Sequence, residues 1–112
     1  MTQQWIFLDH DGLKRVHKLR KEGKLDEAEK LLKMAEPSQA VLDELRKVFS
    51  QRASLAKKKN DWKSVVDNLE KYTAYAKQWR WYCVKMVNAE PPQHSEKDVR
   101  LLQEAKNKLS QQ

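Results

Sequence analysis

Apolar residues recur along the chain at spacings of three and four, and polar punctuation divides them into five runs. The first run covers about Leu13–Glu22, with Leu13, Val16 and Leu19/Arg20 on one side, and follows a capping turn at Asp9-His10-Asp11-Gly12. Gly23 stands where a left-handed residue commonly closes a helix. The second run, Leu25–Ala35, carries Leu25, Ala28, Leu31, Leu32 and Ala35; Glu36-Pro37-Ser38 stops it, because proline cannot continue a helix. Ser38 caps a third helix, about Gln39–Lys59, with Val41, Leu42, Leu45, Val48, Phe49, Ala53 and Ala56 as its apolar positions. Asn60-Asp61 breaks the chain before a long fourth helix, about Trp62–Ala89, which Pro91-Pro92 ends. Ser95 then caps a fifth, Glu96–Leu109, carrying Val99, Leu102, Ala105 and Leu109. The pattern predicts one all-α domain: an arm over residues 1–12, helix pairs over 13–35 and 39–89, and a closing helix over 95–110.

The fourth helix has the most regular seam. Trp62, Val65, Leu69, Tyr72, Ala76, Trp79, Cys83 and Met86 alternate spacings of three and four, which keeps one stripe turned toward neighbouring helices. Tyr75 and Tyr82 widen that stripe, so Trp79, Tyr82 and Cys83 read as core, with Cys83 a small buried hydrophobe. Trp81 falls off it: at roughly 100° per residue it points about 160° away from Trp79. Either the arm Trp5–Leu8 or the last helix covers Trp81, or it is an exposed anchor ringed by Lys77, Arg80 and Lys85, a combination common at interface hot spots.

Composition narrows the class. With 112 residues, 35% charged, only 2 Gly and 3 Pro, the chain suits helices on short loops better than a many-stranded sheet. The single cysteine excludes an intrachain disulfide and fits a reducing compartment. No apolar run approaches the roughly 20 residues that span a bilayer, so no membrane association is expected. Trp5–Leu8 is too short for the apolar part of a signal peptide, and a cytoplasmic location is expected.

The net charge of +7 points toward acidic partners, a protein face or nucleic acid. Lys14, Arg15, Lys18, Arg20, Lys21 and Lys24 crowd the first helix and its loop; Lys57, Lys58, Lys59 and Lys63 crowd the turn before the fourth. Cations in the last turn of a helix also complement its dipole, which accounts for three or four of these residues more readily than for all of them.

Two helix–break–helix units follow one another, with Gly23 and Asn60 at equivalent places. The first, Gly23-Lys24-Leu25-Asp26-Glu27-Ala28-Glu29-Lys30-Leu31-Leu32-Lys33-Met34-Ala35, resembles the second half of a tetratricopeptide repeat at Gly23, Leu25, Asp26–Glu27, Ala28, Leu32 and Ala35. The second places Asn60, Trp62, Val65, Leu69 and Tyr72 at the corresponding positions. The resemblance spans about residues 13–72. It implies a short right-handed stack of antiparallel helix pairs with a concave face that binds a peptide or partner protein; of the five expected helices the long fourth departs from the repeat pattern and the last caps the open end. Glu96, Lys97, Arg100, Gln103, Lys106 and Asn107 supply the polar outer face such a cap needs.

Catalysis finds little footing. His10 and His17 share a face with Asp9 and Asp11 nearby, but Asp-His-Asp-Gly is an ordinary capping turn and metal sites want three or four converging ligands. No glycine-rich phosphate loop occurs, and no serine, nor Cys83, stands beside an evident base. The sequence therefore reads as a non-enzymatic adaptor without a cofactor. It is expected to bind an acidic protein segment on a basic rim of Arg15, Lys18, Lys58 and Lys59, anchored by Trp81 among Lys77, Arg80 and Lys85. The alternatives are a nucleic-acid binder using the same rim, and a homodimer docked through Trp81 and the arm.

Overall fold

The structure is a computed structural model that describes residues 6–36, 38–83 and 94–111, with the side chains of 78–83 left aside. Five helices follow in order: α1 (His10–Lys21), α2 (Leu25–Met34), α3 (Gln39–Lys58), α4 (Trp62–Cys83) and α5 (Glu96–Ser110). They form a short stack of antiparallel helix pairs with a long fourth helix and a closing fifth. Residue 37 and residues 84–93, where the sequence continues the fourth helix to Ala89, lie outside the described residues.

Local chemistry sets the boundaries. Ser38 Oγ accepts from Val41 N at 3.2 Å, Asp61 Oδ1 from Ser64 N at 3.2 Å, and Ser95 Oγ from Asp98 N at 3.3 Å, so α3, α4 and α5 start where the sequence places their caps. The first helix begins earlier than its apolar period suggests. Asp9 Oδ1 accepts from Gly12 N at 2.9 Å and Asp9 O from Leu13 N at 3.0 Å, which folds His10-Asp11-Gly12 into the first turn. Leu8 lies across Gly12: a Cβ there would come within 2.9 Å of Leu8 Cδ2, so a larger residue would make the end of that side chain shift. Leu8 and Leu13, flanking that turn, both pack on the core, as a hydrophobic staple requires.

The α3–α4 hairpin is the centre. Its outer end packs Ala53, Ala56, Val65 and Leu69 against Leu101 and Ala105 of α5. Its other end packs Val41, Leu45, Val48, Phe49, Tyr72 and Ala76 against Val16 of α1 and Leu25, Ala28 and Leu32 of α2. All seven apolar positions expected on α3 are buried. On α4, Val65, Leu69, Tyr72 and Ala76 of the expected seam are buried and Trp62 is half-buried; the side chains of Trp79, Trp81, Tyr82 and Cys83 are not among those described.

The last helix buries Ala105 and packs Leu102 on the core as expected, and departs from expectation at Val99. Asp98, Leu101 and Ala105 face inward, while Val99, expected inside, is 54% exposed. The physical reason is polar: Ser50 Oγ of α3 donates to Asp98 Oδ1 at 2.9 Å and draws that carboxylate into the interface. Residues expected on its outer face, Glu96, Lys97, Arg100, Gln103, Lys106 and Asn107, are all exposed. From Ile6 onward the N-terminal arm runs beside the α2–α3 link, where Ile6 N donates to Met34 O at 2.9 Å and Ile6 O accepts from Glu36 N at 2.8 Å. No helix among the described residues is long and apolar enough to cross a membrane.

Candidate interaction surface

The two basic turns are built alike. At the α1 end, Gly23 N donates to Arg20 O and Lys24 N to Leu19 O; at the α3 end, Asn60 N donates to Lys57 O and Asp61 N to Ala56 O. Both are Schellman closures with the αL residue at the same step, Gly23 at φ 80 and Asn60 at φ 57. The helix pairs stack so that both turns lie at one end of the molecule. Gln51 Nε2 of α3 donates to Arg20 O at 2.9 Å, which sets the end of α1 level with Gln51. Arg52 of α3 pairs with both Asp26 and Glu29 of α2, and its guanidinium lies 5.9 Å from the Phe49 ring centroid. Six residues further on, α3 ends at Lys58, so the second turn projects about 9 Å beyond the first.

This arrangement draws the rim out into an edge. Arg15 lies on α1 below the Gln51 level and Lys58 above it, a separation of about 18 Å along the helix axes at the usual rise per residue. Arg15, Lys18, Lys58 and Lys59 are exposed, and none has an ion pair with a described residue. Of the other cations in these clusters, Arg20 pairs with Glu44 at 3.4 Å, Lys24 with Glu22 at 3.7 Å and Lys57 with Glu104 at 3.6 Å, while Lys14, Lys21 and Lys63 are exposed and, like the rim residues, have no ion pair with a described residue.

The remaining expected residues are elsewhere. Lys77 is exposed near the far end of α4, about 22 Å along that helix from Trp62 and the second turn. Arg80 and Trp81 lie on the backbone of α4 still further along; their side chains, and the whole of Lys85, fall outside what is described. Because α4 runs back antiparallel to α3, Lys77 returns to about the level of Arg15, and Val16 and Ala76 beside them share one core cluster.

Sequence reasoning missed the second wall of the basic end. Tertiary packing sets α5 parallel to α3, as the pairs Ser50–Asp98 and Lys57–Glu104 require, and brings Lys97 and Arg100 into one groove with Lys57 and Lys58, Lys97 toward its Ser50 end and Lys58 toward its Glu104 end. These four cations, with Ser54 and Leu101, line an open groove of about 770 Å³. No feature of the sequence alone pairs residue 97 with residue 58.

The histidines do not assemble a metal centre. Asp9 caps α1, and His17 Nδ1 accepts from Arg20 Nη2 at 2.9 Å. Among the described residues no three His, Cys, Asp or Glu side chains gather as metal ligands. His94 instead serves packing: Nε2 donates to Leu69 O at 2.9 Å and the ring lies 5.0 Å from that of Tyr72.

Perturbed acids sit at structural contacts. Burial alone would raise the Glu29 carboxyl, but hydrogen bonds from Lys33 and Arg52 outweigh it and hold the group below its ordinary value. Asp43 is lowered the same way: burial opposes, and Arg46 and Lys47 prevail. Burial pushes the Tyr72 phenol up to about 12. Comparison with protein-family models, with curated proteins and with solved structures found no match.

Proposed function

We propose that this chain is a non-enzymatic helical interaction module, a degenerate tetratricopeptide-like array, that binds an acidic segment of a partner protein along its basic edge. The observation that supports the reading is that Arg15, Lys18, Lys58 and Lys59 are exposed without a counter-ion among the described residues. A partner's carboxylates would meet these cations without first displacing an intramolecular acid. The edge length of about 18 Å matches five or six residues of extended chain.

Anisotropy of a fluorescent polyglutamate peptide, titrated with the protein over a range of salt, tests the reading. Binding should weaken with salt and be lost in the double reversal Arg15→Glu/Lys18→Glu, whose sites are exposed and structurally uncommitted. If polyglutamate does not bind while a single-stranded oligonucleotide does, with a log–log salt slope counting several phosphates, the module is a nucleic-acid binder instead.

A further inference from the structure

We propose that the groove between α3 and α5 is the seat of the bound segment, and that the segment it selects carries an apolar side chain between two carboxylates. This rests on the basic-edge reading and adds to it a place and a chemistry.

Among its cations, Arg100 is held by Glu96 at 2.7 Å and Lys57 by Glu104 at 3.6 Å. Lys58 and Lys97, one on each wall, have no ion pair with a described residue. They are the two positions at which a ligand carboxylate gains a partner at no internal cost. Between them the surface is largely hydrocarbon: the edge of Leu101 and the methylene stems of the lysines, which cover apolar surface while their charged heads reach water. A purely acidic chain would satisfy the ammonium groups and leave that floor wet. A leucine-sized side chain between the carboxylates covers it.

The groove is less suited to nucleic acid. None of its lining residues is aromatic, so no stacking platform for a base is offered, and Glu96 and Glu104 stand in the walls against a phosphate backbone. The volume, about 770 Å³, holds a few residues of peptide. Lys58 belongs to both edge and groove, which makes the groove the inward continuation of the edge.

The two wall acids give the proposal an unusual sign. Glu96 and Glu104 compete with an acidic ligand for Arg100 and Lys57, so removing their charge should strengthen binding.

The test uses three labelled probes on the full chain: a peptide with leucines flanked by aspartates, a polyaspartate of equal length, and a single-stranded oligonucleotide. The leucine peptide should bind about tenfold more tightly than polyaspartate. Lys97→Glu, an exposed site away from the edge, should weaken it about tenfold, chiefly through faster dissociation, with the circular dichroism unchanged. Glu96→Gln/Glu104→Gln should tighten it severalfold. If leucine brings no gain, or Lys97→Glu leaves affinity unchanged while Arg15→Glu/Lys18→Glu abolishes it, the groove is not the seat and the basic edge stands. If neither reversal matters, or the oligonucleotide outbinds both peptides, edge and groove fall together.

Discussion

Gly23 and Asn60 occupy the same step of two separate helix closures, each in the left-handed region, at φ 80 and φ 57. Nothing lies within 4 Å of a Cβ built on Gly23, so its requirement is conformational and not steric. Gly23→Ala should therefore cost about 1–2 kcal/mol, while Gly23→Asn should cost less. Asn60→Gly should gain a few tenths to about 1 kcal/mol, since asparagine only tolerates the region that glycine adopts freely. Urea denaturation midpoints check all three; an alanine at 23 as stable as glycine would remove the αL argument.

Arg52 fastens α2 to α3 by meeting Asp26 and Glu29 together. Asp26 is almost fully exposed and adds little; Glu29, with its side chain 19% exposed, is the partner that counts. Arg52→Ala should destabilise by about 1–3 kcal/mol, because it strips a half-buried carboxylate of a charged donor. The same pair sets an acid limb. The Glu29 carboxyl is held below 4.5, so its contribution is complete above that pH and is lost as acidification proceeds through the lowered folded value. Wild type should lose stability below about pH 4.5, and Arg52→Ala should lose less over the same interval.

Much of this fold is legible in the chain because α3 obeys the simplest rule: an amphipathic helix at the centre of a stack buries its apolar stripe. α5 shows where the rule fails. Its period selects Val99, yet the helix turns Asp98 and Leu101 inward, because a hydroxyl 48 residues earlier in sequence waits for the carboxylate. Polar pairing across that distance leaves no periodic trace. The interaction surface divides likewise. Lysines crowding two turns are visible in sequence, and the shared end follows from stacking. That Lys97 and Lys58 line one groove depends on the parallel setting of α3 and α5, a tertiary fact with no local signal.

Tyr72 provides an alkaline limb of opposite origin. Burial raises its phenol from 10.0 to about 12, because the anion would have to form inside the core where α3 and α4 meet. Below pH 10 the phenol is neutral in both folded and unfolded chains and costs nothing. Between pH 10 and about 12 the unfolded chain ionises first, so stability should fall with rising pH. Tyrosinate absorbance followed against circular dichroism should show one tyrosine titrating late, together with unfolding, and Tyr72→Phe should flatten the limb.

Asp98 is 1% exposed; Oδ1 takes the Ser50 hydroxyl and Oδ2 has no hydrogen-bond partner among the described residues. Such a carboxylate is held less by its own merit than by the single donor facing it. Ser50→Ala should therefore cost about 1.5–3 kcal/mol, the value of a hydrogen bond to a buried charge, although it deletes one oxygen. Replacing both partners removes the buried charge along with its donor: Ser50→Ala/Asp98→Leu should be more stable than Ser50→Ala alone, offset slightly by loss of an acid from the first turn of α5. The double-mutant cycle separates these terms. A Ser50→Ala change costing under about 0.5 kcal/mol would mean that water reaches the carboxylate and that α5 is held by Leu101 and Ala105 alone.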